Sequence, residues 1–155
     1  MAKSALEKLR TSPPPSVQVL DKDTPWAPAG ATMVISSPAE IDAVIRRVPK
    51  GKVLRFEDLR AALAARNGAD IACPVTTGIF LNIAVAASEE AGARPLNWWR
   101  VLKSNNELNE KAPGGIDAHR DRLEAEGVTV ITKPRGKKLI VADADRHAVP
   151  LAKIV

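Results

Sequence analysis

The segment that decides the fold runs from residue 48 to residue 59 and reads Val48-Pro49-Lys50-Gly51-Lys52-Val53-Leu54-Arg55-Phe56-Glu57-Asp58-Leu59. The proline and glycine are typical of the end of a helix, and the two apolar residues after them indicate a short extended link. Upstream, Ser37-Pro38-Ala39-Glu40 forms a capping box with proline at the first helical position. We therefore predict one helix that begins at Pro38 and a second from about Phe56 to Arg66, joined by a tight turn.

Composition limits the class of protein. The chain has 155 residues, of which 45% are apolar, and this excludes general disorder and predicts one domain with an extension. No apolar run reaches the roughly 18 residues of a membrane span, and the N-terminus lacks a signal core, so we predict a cytoplasmic protein without a membrane segment. Because the chain has one cysteine, Cys73, and two histidines, we expect no disulfide, no metal site and no cofactor.

The remaining pattern predicts two more helices and a hairpin. Apolar spacing indicates a third helix from Pro74 to about Ala91 and a fourth from Ile116 to Glu126. The third is apolar on nearly every side and has no lysine or arginine, so it is either buried or covered by a partner. Strands at 128–132 and 138–142 flank a basic turn at 133–137. The predicted fold class is mostly α with a small β hairpin, in a winged helix-turn-helix arrangement.

Three regions are predicted along the chain. Residues 1–32 hold five of the twelve prolines and predict an N-terminal extension, with a short helical start and a proline-rich linker. Residues 33–145 form the winged helix domain, and residues 146–155 form a C-terminal tail.

The charge distribution is compatible with a nucleic-acid partner. The formal net charge is +5. Its lysines and arginines cluster in residues 46–60 and again in residues 133–138. Both clusters could equally be solvated surface, so charge alone does not decide the partner.

Two later motifs, together with residues 48–59, point to a family. One is Asn97-Trp98-Trp99-Arg100-Val101, and the other is Pro113-Gly114-Gly115 followed by a helix that ends in Leu123-Glu124-Ala125-Glu126-Gly127. In this order the three segments resemble the DNA-binding domain of the O6-alkylguanine-DNA alkyltransferases, whose active-site signature is Pro-Cys-His-Arg-Val. The resemblance spans about residues 38–130 and implies a winged helix-turn-helix domain of the alkyltransferase C-terminal type.

The signature departs from the family at its reactive positions. The alkyl-accepting cysteine falls on Trp98, the activating histidine falls on Trp99, and the glutamate that orients this histidine is retained as Glu126. Since an indole offers no thiolate, direct dealkylation by this route is excluded. Tryptophan at the acceptor position is the mark of the alkyltransferase-like proteins, which flip O6-alkylguanine out of DNA and pass it to excision repair. The resemblance thus implies a monomeric, non-enzymatic protein whose partners are double-stranded DNA, possibly alkylated, and excision-repair proteins.

The resemblance also implies two sets of site residues. A pocket for the extruded base would be formed by Trp98, Trp99, Arg100, Pro113, Gly114 and Gly115. Contacts to DNA would come from Lys50, Lys52, Arg55, Phe56, Thr76, Thr77, Gly78 and Lys103. The arginine that the family inserts into the vacated space falls near Cys73, and the tyrosine that rotates the target phosphate falls on Phe56. Affinity for DNA would therefore depend on basic residues outside the third helix.

Other interpretations stay open. The chain could be a winged-helix module that has lost DNA binding and contacts a protein through its uncharged third helix. It could also be an alkyltransferase that uses Cys73. Either tryptophan could belong to the core, Arg100 could pair with Glu126 rather than contact DNA, and His119 could be a core histidine with satisfied hydrogen bonds.

Overall fold

The computed structural model describes residues 3–133 and 138–155. Its helices are α1 (Ala5–Thr11), α2 (Pro38–Arg46), α3 (Phe56–Asn67), α4 (Pro74–Ser88), α5 (Gly115–Ala125) and α6 (Ala144–His147). Its strands are β1 (Ser16–Val19), β2 (Thr32–Ile35), β3 (Leu54–Arg55), β4 (Ile71–Ala72), β5 (Val101–Leu102), β6 (Val130–Thr132) and β7 (Leu139–Val141). Short 3-10 turns occupy Trp98–Arg100, Ser104–Asn106 and Leu151–Lys153. The architecture is helix-rich with small sheets, in agreement with the mostly α prediction.

Local capping signals set the helix boundaries. The Ser37 hydroxyl accepts a hydrogen bond from the Glu40 backbone N–H at 3.1 Å, as the capping box predicts for the start of α2. Helix α3 ends at Gly68, whose φ of 64° lies in the left-handed region. Helix α4 ends at Ser88, three residues before the predicted end. The chain turns away there, and the Glu90 side chain accepts hydrogen bonds from α1 instead.

The main core lies among α2, α3 and α4. Fully buried side chains of α2 and α3 meet there, notably Ile41, Ile45, Leu59 and Leu63. Truncating one such side chain to alanine costs about 2–5 kcal/mol. Helix α4 contributes small residues such as Ala84 to this core, so it packs closely against its neighbours.

The N-terminal residues form regular structure where an extended linker was expected. Strand β1 pairs antiparallel with β2, and β2 pairs parallel with β4, in a three-stranded sheet. The hydrogen bond from Leu20 N–H to the Ala31 carbonyl (2.9 Å) continues the β1–β2 pairing into the connecting loop. Helix α1 packs against α4 and α2. The prolines therefore mark connections between elements.

A second, smaller core supports the C-terminal half. It gathers Leu102, Leu108, Leu123, Val128 and Val141 beneath α5 and the antiparallel β6–β7 pair. Strand β3 pairs parallel with β5, and this links the turn before α3 to the segment that follows the two tryptophans. The predicted basic turn lies partly outside the described residues, because residues 134–137 are not among them.

The last ten residues, expected to form a tail, pack on the domain. Val149 and Ile154 are buried in the main core. Val53 N–H donates to the His147 carbonyl, and Val149 N–H donates to the Val53 carbonyl, both at 2.9 Å. These bonds place the terminal segment beside the turn between α2 and α3.

Two expected absences can be examined only within the described ranges. There, no helix is long and apolar enough to cross a membrane. Over the same residues, no group of three histidine, cysteine or acidic side chains is arranged to hold a metal ion.

Candidate functional site

An open cavity of about 750 Å³ lies between α4, the segment after Trp98 and the loop before α5. Its apolar wall is formed mainly by Phe56, Leu81, Val85, Trp98, Leu102 and Pro113. Polar groups at its margin come from Asn82, Glu89, Lys103, Ser104, Asn109, Glu110, Lys111 and His119. Sites for small organic ligands typically have volumes of roughly 300–1,000 Å³ and an apolar wall with a few polar groups. This cavity has both properties.

Trp98 lies in the wall of this cavity. The 3-10 turn that follows Asn97 turns its ring inward, leaving 6% of the residue exposed. The ring packs edge-on against Trp99, with centroids 5.8 Å apart, and against His119, with centroids 5.5 Å apart. Edge-on aromatic packing holds a ring in one orientation. The cavity therefore has one fixed aromatic wall.

Arg100, predicted in the pocket, is instead paired with Glu126. Its guanidinium donates to both carboxylate oxygens, at 2.9 and 2.7 Å, and to the Val48 carbonyl at 2.7 Å. Burial raises the pKa of Glu126, but hydrogen bonds and charge from Arg100 outweigh burial, so the net pKa lies below its ordinary value. This pair ties the tryptophan turn to the end of α2 and to the end of α5.

Trp99 lies behind Trp98 and does not line the cavity. Its indole N–H makes no hydrogen bond of ordinary geometry within the described residues, although it is near enough to Glu126 to lower that pKa. The Arg122 guanidinium lies 4.6 Å from the Trp99 ring centroid, and that of Arg100 lies 5.6 Å from it. Trp99 is thus held as a cation–π partner of two arginines.

His119 is a buried structural histidine. The Asn109 backbone N–H donates to its Nδ1 at 3.1 Å, so Nδ1 carries no proton, and Nε2–H donates to the Trp99 carbonyl at 2.7 Å. Burial lowers the pKa of His119, and the bond to Trp99 offsets only part of this effect. The neutral ring therefore joins the tryptophan turn to the loop that closes the cavity.

The glycines of the predicted rim have a backbone role. Pro113 lines the cavity, whereas Gly114 and Gly115 do not. Gly114 has a φ of 81°, and a Cβ placed there would lie 2.9 Å from the Ala118 Cβ. Both glycines allow the sharp entry into α5 that side chains would prevent.

The three predicted DNA-contact residues of α4 fall on different sides of the helix. Gly78 lines the cavity. Thr77 is 1% exposed and its hydroxyl donates to the Cys73 carbonyl at 2.6 Å, so its side chain does not face the surface expected for it. The Thr76 hydroxyl is also buried and has no partner within the described residues. The exposed side chains are instead Val75 and Ile79, 57% and 52% exposed, one helical turn apart.

The predicted phosphate-binding cations are not equally available. Arg55 Nε lies 2.7 Å from Asp58, and its Nη1 lies 2.6 Å from Asp145, so carboxylates already engage this guanidinium. By contrast, Lys50, Lys52 and Lys103 form no ion pair within the described ranges, and Lys103 lines the cavity together with Phe56.

Sequence reasoning missed three polar residues near the cavity. Lys111 and Asn109 lie at its margin because the loop before α5 folds over it, and no local pattern signals this. Arg122 stands three residues after His119 on α5, and helical spacing could have placed it beside the tryptophans.

Comparison with solved structures relates this arrangement to a known protein. The crystal structure of Schizosaccharomyces pombe Atl1, an alkyltransferase-like protein in complex with damaged DNA containing O6-carboxymethylguanine, matches with a TM-score of 0.53 and 16% identity, over 73% of this chain and 94% of that one. The chain has the Atl1 fold. A structure of S. pombe ATL in complex with DNA is 17% identical with a TM-score of 0.49 and the same coverage. No protein-family model and no curated protein matches the sequence.

The similarity to Atl1 agrees with the alkyltransferase-type fold that the sequence motifs led us to expect. About a quarter of this chain lies outside the match, since the match covers 73% of it.

Proposed function

We propose that the protein binds double-stranded DNA and recognises O6-alkylguanine, or another modified base, by accepting the extruded base in the cavity beside Trp98. It would act in DNA repair as a monomer in the cytoplasm and pass the lesion to excision-repair proteins. The observation that carries the proposal is the cavity of about 750 Å³ with the Trp98 ring fixed in its wall. The Atl1 fold, present in a complex with damaged DNA, supports it.

The proposed mechanism has two parts. Helices α3 and α4 act as the helix-turn-helix and the β6–β7 pair acts as the wing, so the exposed side of α4 faces the minor groove. The target nucleotide leaves the stack and enters the cavity, where its base meets the edge of Trp98 and the apolar wall. Lys103 and Lys111, at the cavity margin, neutralise the neighbouring phosphates.

Chemistry at the site supports binding without turnover. Trp98 stands where a thiolate would be required, and an indole has no nucleophilic sulfur. Cys73, the alternative acceptor, is 7% exposed and does not line the cavity. Buried cysteines without an activating neighbour are inert.

The test compares a duplex containing O6-methylguanine with an unmodified duplex, by fluorescence anisotropy at two salt concentrations. We expect a preference for the lesion that Trp98→Leu reduces about 5- to 100-fold, the range for loss of base–aromatic contact. Trp98→Phe should retain part of it, and thermal unfolding must show both variants folded at the assay temperature. Trp26→Leu is the matched control, because Trp26 is exposed and does not line the cavity. Equal affinity of the wild-type protein for both duplexes would refute lesion recognition.

A second candidate is a winged-helix module that binds a protein. It is favoured by the exposed apolar pair Val75 and Ile79 on a helix without lysine or arginine. Under this alternative, DNA binding is weak and insensitive to salt, and Ile79→Ser leaves it unchanged.

A further inference from the structure

Helix α1 is fixed to the end of α4 by one carboxylate. The Glu90 side chain accepts hydrogen bonds from the first two backbone N–H groups of α1, at 2.7 Å from Ala5 and 3.2 Å from Leu6. Since Glu90 lies just beyond the C-terminal end of α4, α1 must run back along α4 in order to pack against it. The half-buried Leu9 packs on the main core and anchors the other end of α1.

The exposed side of α4 lies between the cavity and α1. Val75, Ile79, Asn82 and Ala86 are spaced three or four residues apart and form one exposed stripe. On one flank, α4 lines the cavity with Gly78, Leu81 and Val85, and the Asn82 and Ala86 side chains of the stripe also reach this cavity. On the other flank, residues 76, 80, 83 and 87 are half-buried or buried. Glu90 follows at the same helical spacing and therefore lies on the same side as these residues. Helix α1 therefore covers the flank opposite the cavity.

Charge is divided between the two helices in a complementary way. Helix α4 contains no lysine or arginine. Helix α1 carries Lys8 and Arg10, which are exposed and without an ion pair in the described part of the chain, together with the exposed Glu7. Lys8 and Arg10 are two positions apart, so they lie on opposite edges of the apolar face of α1 that packs on the domain. Because α1 runs antiparallel to α4, Lys8 lies on the side of the exposed stripe of α4 and Arg10 lies on the side away from it.

We propose that α1 is a phosphate-binding arm that supplies, through Lys8, positive charge that the α4 helix lacks. This inference rests on the proposed function, because it assumes that DNA lies along the exposed stripe of α4. DNA that sits on α4 with its extruded base in the cavity extends over the opposite flank, where Lys8 meets the backbone.

The experiment measures the slope of log K against log salt for an unmodified duplex and for one with O6-methylguanine, using the full-length protein. Lys8→Gln should make both slopes less steep by about one, and lower affinity several-fold near 0.1 M salt. Arg10→Gln is the matched control, because it removes the same charge from an exposed residue of the same helix on the side away from the stripe.

A second variant separates docking of α1 from net charge. Glu90→Ala removes a negative charge, so charge alone predicts tighter DNA binding, whereas loss of the contact that fixes α1 predicts weaker binding. Weaker binding supports the proposal. Tighter or unchanged binding of Glu90→Ala, or equal slopes for Lys8→Gln and Arg10→Gln, overturns it. Equal affinity of the wild-type protein for both duplexes, with a normal salt slope, would refute lesion recognition alone, and absence of DNA binding would refute both proposals.

Discussion

Replacing Arg100 by methionine breaks the buried Arg100–Glu126 ion pair next to the candidate site. The Glu126 and Arg100 side chains are only 9% and 15% exposed, so the variant leaves a carboxylate with little solvent and without its main partner. The remaining donors near this carboxylate are the Gly51 backbone N–H, at a long 3.5 Å, and the Trp99 indole N–H. Breaking a buried pair in this way costs about 3–5 kcal/mol, and the partial exposure favours a value of about 3.

The loss of stability in Arg100→Met should be larger at neutral pH than at acidic pH. In the wild-type protein the pKa of Glu126 is lowered, so its stabilisation is present above the ordinary pKa and is lost as pH falls through the folded value. In Arg100→Met the pKa of Glu126 rises relative to the wild-type value, because burial loses its main opposing influence and only Trp99 and Gly51 still lower the pKa. The loss of stability is therefore largest at pH 7 and shrinks as the carboxyl becomes protonated towards pH 4. About 1 kcal/mol should remain at low pH, because the bond to the Val48 carbonyl is lost at every pH.

Urea unfolding followed by circular dichroism at pH 7 and pH 4 measures both effects. The double variant Arg100→Met with Glu126→Met is the control, and should recover most of the loss, since two apolar side chains can replace a buried pair at little cost. A deficit below about 1 kcal/mol at pH 7, or one of equal size at both pH values, would show that the pair does not have the structural role assigned to it.

Two further predictions concern α4 and α5. Thr77→Val should lower the free energy of unfolding by about 1 kcal/mol without changing DNA affinity. Ile79→Ser should weaken DNA binding and change stability by less than about 0.5 kcal/mol. The reverse pattern, measured by thermal unfolding and fluorescence anisotropy, would contradict the assigned orientation of α4. Because the pKa of His119 is lowered in the folded protein, the imidazole is protonated at a higher pH in the unfolded chain than in the folded one. The stability of the wild-type protein should therefore fall as pH drops below about 6.5, the ordinary pKa of histidine. His119→Gln should lose this slope between pH 7 and 5.5, and a flat wild-type curve in unfolding titrations would argue against a buried neutral ring.

The elements that the sequence predicted accurately are those that local chemistry determines. The capping serine of α2, the proline at the start of α4 and the glycine after α3 each act within one turn of their own backbone. The two strands of the hairpin were likewise found from a short alternating pattern. Such signals need no knowledge of the rest of the fold.

Features that depend on distant partners could not be predicted. Strand β1 exists because it pairs with β2, and its proline-rich surroundings suggested a linker. The sequence alone left open whether either tryptophan belongs to the core. In the structure they lie in a 3-10 turn, and His119 and Arg100 determine their positions. The pairing of Arg100 with Glu126 was one of two readings left open, and only the fold decides between them.

Helix α4 shows why the site itself was hardest to predict. A helix that is apolar on nearly every side has no hydrophobic periodicity to fix which face is buried, so Thr76 and Thr77 could not be oriented from sequence. Its orientation depends instead on what covers each flank: the main core on one side, α1 on another and the cavity on a third. The exposed stripe carries no charged side chain, so a polyanion could be held there only by cations from neighbouring elements. The candidates for these cations are Lys103 and Lys111 on the cavity flank of α4 and Lys8 of α1 on the other flank.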